Sequence, residues 1–144
     1  MSLPISKKNN AKSIYNKNIY LNFAKYILDC QNSDGGIRWE PSSKLDPWDH
    51  IESAMGIDVL GFESESKKAY EWLESNQETD GSWHSLYHCS ETNFLKETNF
   101  SSYIAVGMWH HYLNFKDKKF LRRFWPILDS VSYTHLRAHE TSQH

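Results

Sequence analysis

Carboxylates, indoles and an imidazole crowd one short stretch of the sequence: Trp39 and Glu40, then Asp46, Trp48, Asp49, His50 and Glu52. A carboxylic acid beside a carboxylate can move a proton, and an indole offers a flat apolar face with one donor. Such a set suits acid–base work, or the holding of a cationic or sugar ligand. Asp46, Asp49 and Glu52 are therefore candidate catalytic residues, and Trp39, Trp48 and His50 candidate substrate contacts. A structural reading stands beside this one. In Asp46-Pro47-Trp48-Asp49, Asp46 can cap a helix and Pro47 suits its first position, while Asp49 and Glu52 favour the positive end of the helix dipole.

A second cluster is Trp83-His84-Ser85-Leu86-Tyr87-His88-Cys89. His84 and His88 are four apart and, with Cys89, suggest a metal, but the segment has loop composition and no second pair completes four ligands. The sequence thus assigns no metal and no cofactor. Trp83, His84, Tyr87 and His88 stand as candidate substrate contacts or as members of a plain polar loop. His110 and His111 are adjacent and point in different directions on a helix, so one should be buried and hydrogen-bonded and the other turned to the rim. Asp58 lies on a helix face. Burial would raise its pKa and let it protonate a substrate, which makes it a further catalytic candidate; otherwise it is paired or at the rim.

Helices must position these groups. From Ile14 to Gln31, Tyr20, Phe23, Ala24, Ile27 and Leu28 recur at helical spacing. A second helix follows Asp46 and carries Ile51, Ala54, Met55 and Val59, with Gly61 as its stop. Ser64 is the expected cap of a third helix that runs to Gln77. A fourth, from about Asn99 to Leu113, is apolar nearly all round and should be an inner, buried helix. Asp117 can cap a fifth, in which Pro126 predicts a kink or a late start.

The helices repeat. Gln31-Asn32-Ser33-Asp34-Gly35 and Gln77-Glu78-Thr79-Asp80-Gly81 lie 46 residues apart, each followed by a tryptophan. Gly56 and Gly107 lie 51 apart, as do Lys67-Lys68 and Lys118-Lys119. Helix pairs at such a period mean a helical array or toroid, in which each pair leaves an apolar face for its neighbours to cover. No third Gln-x-x-Asp-Gly appears where the period would put it. The run from Val131 to Thr141 breaks the apolar face, and residues 131–144 resemble a translated adapter or vector sequence. The sequence reading is therefore a flexible lead-in over 1–13, a helical-repeat domain over 14–130 and a non-native tail over 131–144. It expects a truncated N-terminal piece whose partners include C-terminal repeats of its own chain, and whose last helices expose apolar surface.

Composition narrows the classes. At 144 residues the chain is of single-domain length, and its net charge of −2 gives no basic field for nucleic acid. Apolar residues make up 39%, enough for a core, while a mean hydropathy of −0.71 and the lack of a ~20-residue apolar run argue against a transmembrane segment. Met1 to Lys12 is polar and lysine-containing, unlike a signal peptide, and two cysteines without a CxxC read as reduced thiols. A cytoplasmic protein is expected.

The Gln-x-x-Asp-Gly-Ser-Trp stretch resembles the glutamine–tryptophan repeat of the terpenoid cyclase and protein prenyltransferase superfamily. Gln77, Gly81 and Trp83 match it well, with Leu73 as the apolar position before it. Gln31, Gly35 and Trp39 match loosely, because the tryptophan is displaced by two residues. The resemblance spans roughly residues 14–130. It implies an all-α fold, an incomplete (α/α)6 toroid of about two and a half helix pairs, with ligands in a central cavity. It also implies that Gln31, Asp34, Gly35, Gln77, Asp80, Gly81 and Trp83 form a structural motif. By that resemblance the protein would be a prenyltransferase-like or cyclase-like enzyme acting on an isoprenoid. However, the Asp-x-Asp-Asp acid motif and the zinc ligands of those enzymes find no counterpart here. The alternative is a carbohydrate-handling toroid or a non-catalytic helical-repeat binding module, since Trp, Tyr, His and carboxylates at a cavity mouth suit sugars equally well. The small-molecule partner is thus an isoprenoid or a glycan.

Overall fold

Helices α1 (Lys17–Asp29), α2 (Pro47–Val59), α3 (Glu63–Ser75), α4 (Thr98–Phe115) and α5 (Lys118–Thr141) make up an all-α fold. The computed structural model describes the backbone of residues 17–88 and 92–141, and the side chains of 19–88 and 93–131 other than 98 and 101. α2 packs against α3 and α4, α4 packs against α5, and α1 touches α2 more lightly. α2 and α4 thus form an inner row backed by α1, α3 and α5, the arrangement of an incomplete helical toroid. Ile51, Ala54 and Ile57 of α2, Ala69, Tyr70 and Leu73 of α3, Ile104 and Met108 of α4, and Phe120 and Phe124 of α5 interlock in its core.

Several local expectations need correction. Ser64 does not cap α3; the helix starts at Glu63 after Phe62, without a side-chain cap. Pro126 causes no late start, because α5 begins at Lys118, where Asp117 Oδ1 accepts the amides of Lys119 (2.9 Å) and Phe120 (3.1 Å). Pro126 and Arg122 are both exposed, so water can reach the carbonyl that Pro126 cannot bond. α1 buries Ala24 fully, but Tyr20 and Phe23 of its expected apolar face are exposed. α4 is not buried all round either: Val106, Trp109 and Leu113 form an exposed stripe at helical spacing. The loop after Trp83 holds a short antiparallel pair, β1 (Leu86–Tyr87) with β2 (Thr92–Asn93), which the sequence did not suggest.

The two Gln-x-x-Asp-Gly turns make one joint twice. Gln31 Nε2 donates to Gly35 O (3.0 Å) and to Glu65 O (2.9 Å), and Gln77 Nε2 donates to Gly81 O (3.0 Å) and to Ile127 O (3.1 Å). Asp34 and Asp80 each accept the amide two residues on. Gly35 and Gly81 have φ of 97° and 82°, and a Cβ there would lie 2.2 Å from Lys68 O and 2.7 Å from Ser130 O. The first turn therefore backs onto α3 and the second onto α5. Six residues after each glutamine sits a buried apolar side chain, Ile37 in one copy and Trp83 in the other. Ile37, not Trp39, is the structural counterpart of Trp83. Beyond it, Leu45 and Tyr87 exchange both backbone hydrogen bonds at 2.8 Å, which holds the loop after Ile37 edge to edge with the loop after Trp83.

Candidate functional site

The joined loops lie beside the starts of α2 and α4. Asp46 is almost fully buried, and both its oxygens are engaged: Oδ1 accepts Asp49 N at 2.9 Å, and Oδ2 accepts the indole N–H of Trp39. Lys44 Nζ sits 3.7 Å from the centre of the Trp39 ring, whose side chain is otherwise half exposed. One turn further on, the indole N–H of Trp48 and the Tyr103 hydroxyl donate to Glu52 Oε1 at 2.9 Å and 3.1 Å. Trp48 lies flat on Tyr103, with ring centres 3.9 Å apart and planes within 4°.

Two grooves flank this cluster. One, of about 420 Å³, runs between α1 and α2 and is lined by Tyr26, Ile27, Cys30, Ile37, Arg38, Glu52 and Ser53. The other, of about 520 Å³, runs toward α4 and is lined by Asp46, Trp48, Ser85, Leu86, Asn93, Glu97 and Phe100. Trp39 and Asp49 line both. The Asp49 carboxyl is held above the usual carboxylate range, first by partial burial, then by the charge of Asp46 and a hydrogen bond to it, then by Glu52. A carboxyl with a raised pKa thus sits where the grooves meet, beside the Asp46 side chain that two hydrogen bonds fix in place.

The other sequence candidates lie elsewhere. His50 is buried in the core rather than at the mouth; its Nδ1 accepts Ile37 N at 3.0 Å, and its Nε2–H then donates to Ala69 O at 2.9 Å. Trp83 is buried too, and its indole N–H donates to Leu73 O at 2.8 Å. Neither presents a surface to a ligand. Asp58 is buried away from both grooves, with Oδ1 2.9 Å from His111 Nδ1 and Oδ2 3.5 Å from His110 Nδ1. His111 is fully buried and His110 partly open. His84 Nε2 pairs with Glu78 at 3.1 Å, and the His84 ring packs edge-on against Phe94. The Tyr87 hydroxyl accepts His84 N at 3.1 Å, and burial pushes its pKa up to about 12. His88 is exposed on the loop, and Cys89 lies outside the described residues. Among the described residues no three His, Cys, Asp or Glu side chains converge to hold a metal, and no helix is long and apolar enough to cross a membrane.

The sequence reading missed Tyr103, Phe100, Arg38 and Tyr26. The spacing of 51 held the signal for one of them: Tyr103 follows Glu52 by that interval, and the fold sets the two in contact.

His50 carries a pH prediction. Burial lowers its pKa from 6.5 to about 4, so the folded chain holds it neutral while the unfolded chain protonates it below pH 6.5. The stabilisation, about 3 kcal/mol, is complete above pH 6.5 and is lost as the pH falls toward 4. Thermal unfolding followed at pH 7 and pH 5 should show a clear drop in midpoint, and His50→Asn should flatten that dependence. An unchanged slope in the variant would refute the assignment.

No family model matches the sequence. A curated relative, the MMP endo-(1,4)-3-O-methyl-alpha-D-mannosidase of Mycolicibacterium hassiacum, is 34% identical over 106 residues, which cover 73% of this chain. The chain spans 30% of that relative's length. This finding overturns the terpenoid cyclase and prenyltransferase resemblance, and with it the transferase reading and the isoprenoid substrate. The reason is physical. Gln77, Gly81 and Trp83 join a turn to a helix, and such a joint serves a helical array whatever its cavity holds. The carbohydrate-handling alternative accords better with the relative.

Proposed function

We propose that this chain contributes a glycan-binding groove and an acid to a glycoside hydrolase that cleaves α-(1,4)-linked, 3-O-methylated mannosides internally. The observation that carries the reading is the position of Asp49: a carboxyl with a raised pKa, at the junction of two grooves, beside the fixed carboxylate of Asp46. Cleaving a glycosidic bond needs a carboxylic acid to protonate the leaving oxygen and a second carboxylate on the other side of the sugar. Asp49 is assigned as the acid and Asp46 as the neighbour whose charge, after burial, raises its pKa. Glu52, anchored by Trp48 and Tyr103, accepts hydrogen bonds from sugar hydroxyls. Trp39 offers its open face to a ring. Asp46, Asp49 and Glu52 all belong to the start of one helix, so the opposing carboxylate belongs to another wall.

Calorimetric titration with an α-(1,4)-mannotetraose tests the reading. Saturable binding is expected, weakened at least tenfold by Trp39→Ala, with a β-(1,4)-glucotetraose binding far less. Equal binding of both tetrasaccharides, or no binding of either, would overturn it.

A further inference from the structure

The groove between α1 and α2 has an unusual wall for a sugar site. Tyr26 and Ile27 of α1 and Cys30, the residue after that helix, meet Ile37 there. What this wall offers is a tyrosine ring whose side chain stands at the exposed rim, two aliphatic side chains and a thiol. It carries no carboxylate or amide to receive a sugar hydroxyl. The facing wall is polar, with Asp49, Glu52 and Ser53 one turn apart along α2 and Arg38 at the edge. Ile37 and Cys30 are nearly fully buried and form the floor, while Tyr26 is 54% exposed and stands as the rim.

A sugar hydroxyl pressed against the Ile27 and Ile37 side chains would lose its water without gaining an acceptor, which is costly. A methyl ether at the same position has no proton to place, and its methyl gains from leaving water. From this we infer that the α1–α2 groove is the part of the site that selects O-methylated rings: their methoxy groups seat against Tyr26, Ile27 and Ile37 while their free hydroxyls face Glu52 and Ser53. The inference rests on the carbohydrate reading above and adds which groove reads the methyl groups. The groove toward α4 differs in presenting Asp46, Ser85, Asn93 and Glu97, groups able to meet hydroxyls.

The test compares two α-(1,4)-mannotetraoses that differ only in 3-O-methylation, each titrated into the wild-type chain and into Tyr26→Ser. The wild type should bind the methylated form more tightly, by about fourfold for each methyl that is seated. Tyr26→Ser should reduce that preference to under twofold. Because Tyr26 is largely exposed, the variant keeps the fold, which circular dichroism verifies. Equal affinity of the wild type for both sugars, or a Tyr26→Ser variant that weakens both alike, overturns the inference while leaving the carbohydrate reading in place. If neither sugar binds the wild type, both fall together.

Discussion

Asp49→Asn is expected to slow cleavage of an α-mannoside on the order of 10³-fold while leaving the dissociation constant within about threefold, as befits loss of a general acid. Asparagine keeps the size and polarity of the side chain but cannot deliver a proton to the glycosidic oxygen. The pH dependence sharpens the assignment. A general acid works only while protonated, so the rate should fall as the pH rises through the pKa of Asp49. That pKa is raised by partial burial, by Asp46 and by Glu52. Asp46→Asn removes the largest neighbouring charge and should move the alkaline limb to lower pH. Asparagine is as good a helix cap as aspartate, so α2 should persist in that variant. A merely structural Asp49 would give no shift of this limb.

Trp83→Ala should destabilise the protein by about 3–5 kcal/mol, the usual cost of deleting a buried large aromatic. The indole is 1% exposed, and its N–H satisfies Leu73 O, which the truncation would leave without that partner. Against a total stability of about 5–15 kcal/mol, the loss brings the chain near its unfolding threshold. Trp39→Ala offers the contrast: with a half-exposed ring, it should cost about 1 kcal/mol or less in stability and show its effect in glycan binding instead. Urea denaturation of both variants separates the two roles. A Trp83→Ala midpoint close to wild type would contradict the packing described here.

The fold was largely legible because its determinants are local and repeated. Asp46 and Pro47 announce α2, Asp117 announces α5, and the two Gln-x-x-Asp-Gly turns announce the joint between rows. The errors fall where tertiary context decides. Phe23 and Trp109 fit the helical period yet stay exposed, because no described helix covers them. The cluster at the candidate site was legible as a group, but not which of its members reach the grooves. Trp39, Asp46, Trp48, Asp49 and Glu52 do line the two grooves or anchor their walls. His50, one residue after Asp49, points the opposite way on the same helix and enters the core. Nothing in its residue type announced that. The substrate class was the least legible feature. The tryptophan turn that suggested an isoprenoid enzyme marks architecture, and architecture is shared across chemistries.

The central claim, that Asp49 protonates a glycosidic bond at the junction of two grooves, is tested most directly by product analysis. A 3-O-methylated α-(1,4)-mannooligosaccharide is incubated with wild type and with Asp49→Asn, and the product lengths are read by mass spectrometry over time. Internal cleavage by the wild type, with the variant slower on the order of 10³-fold at equal binding, is the predicted result. Intact oligosaccharide after prolonged incubation with the wild type, or cleavage by the variant at an undiminished rate, would contradict it.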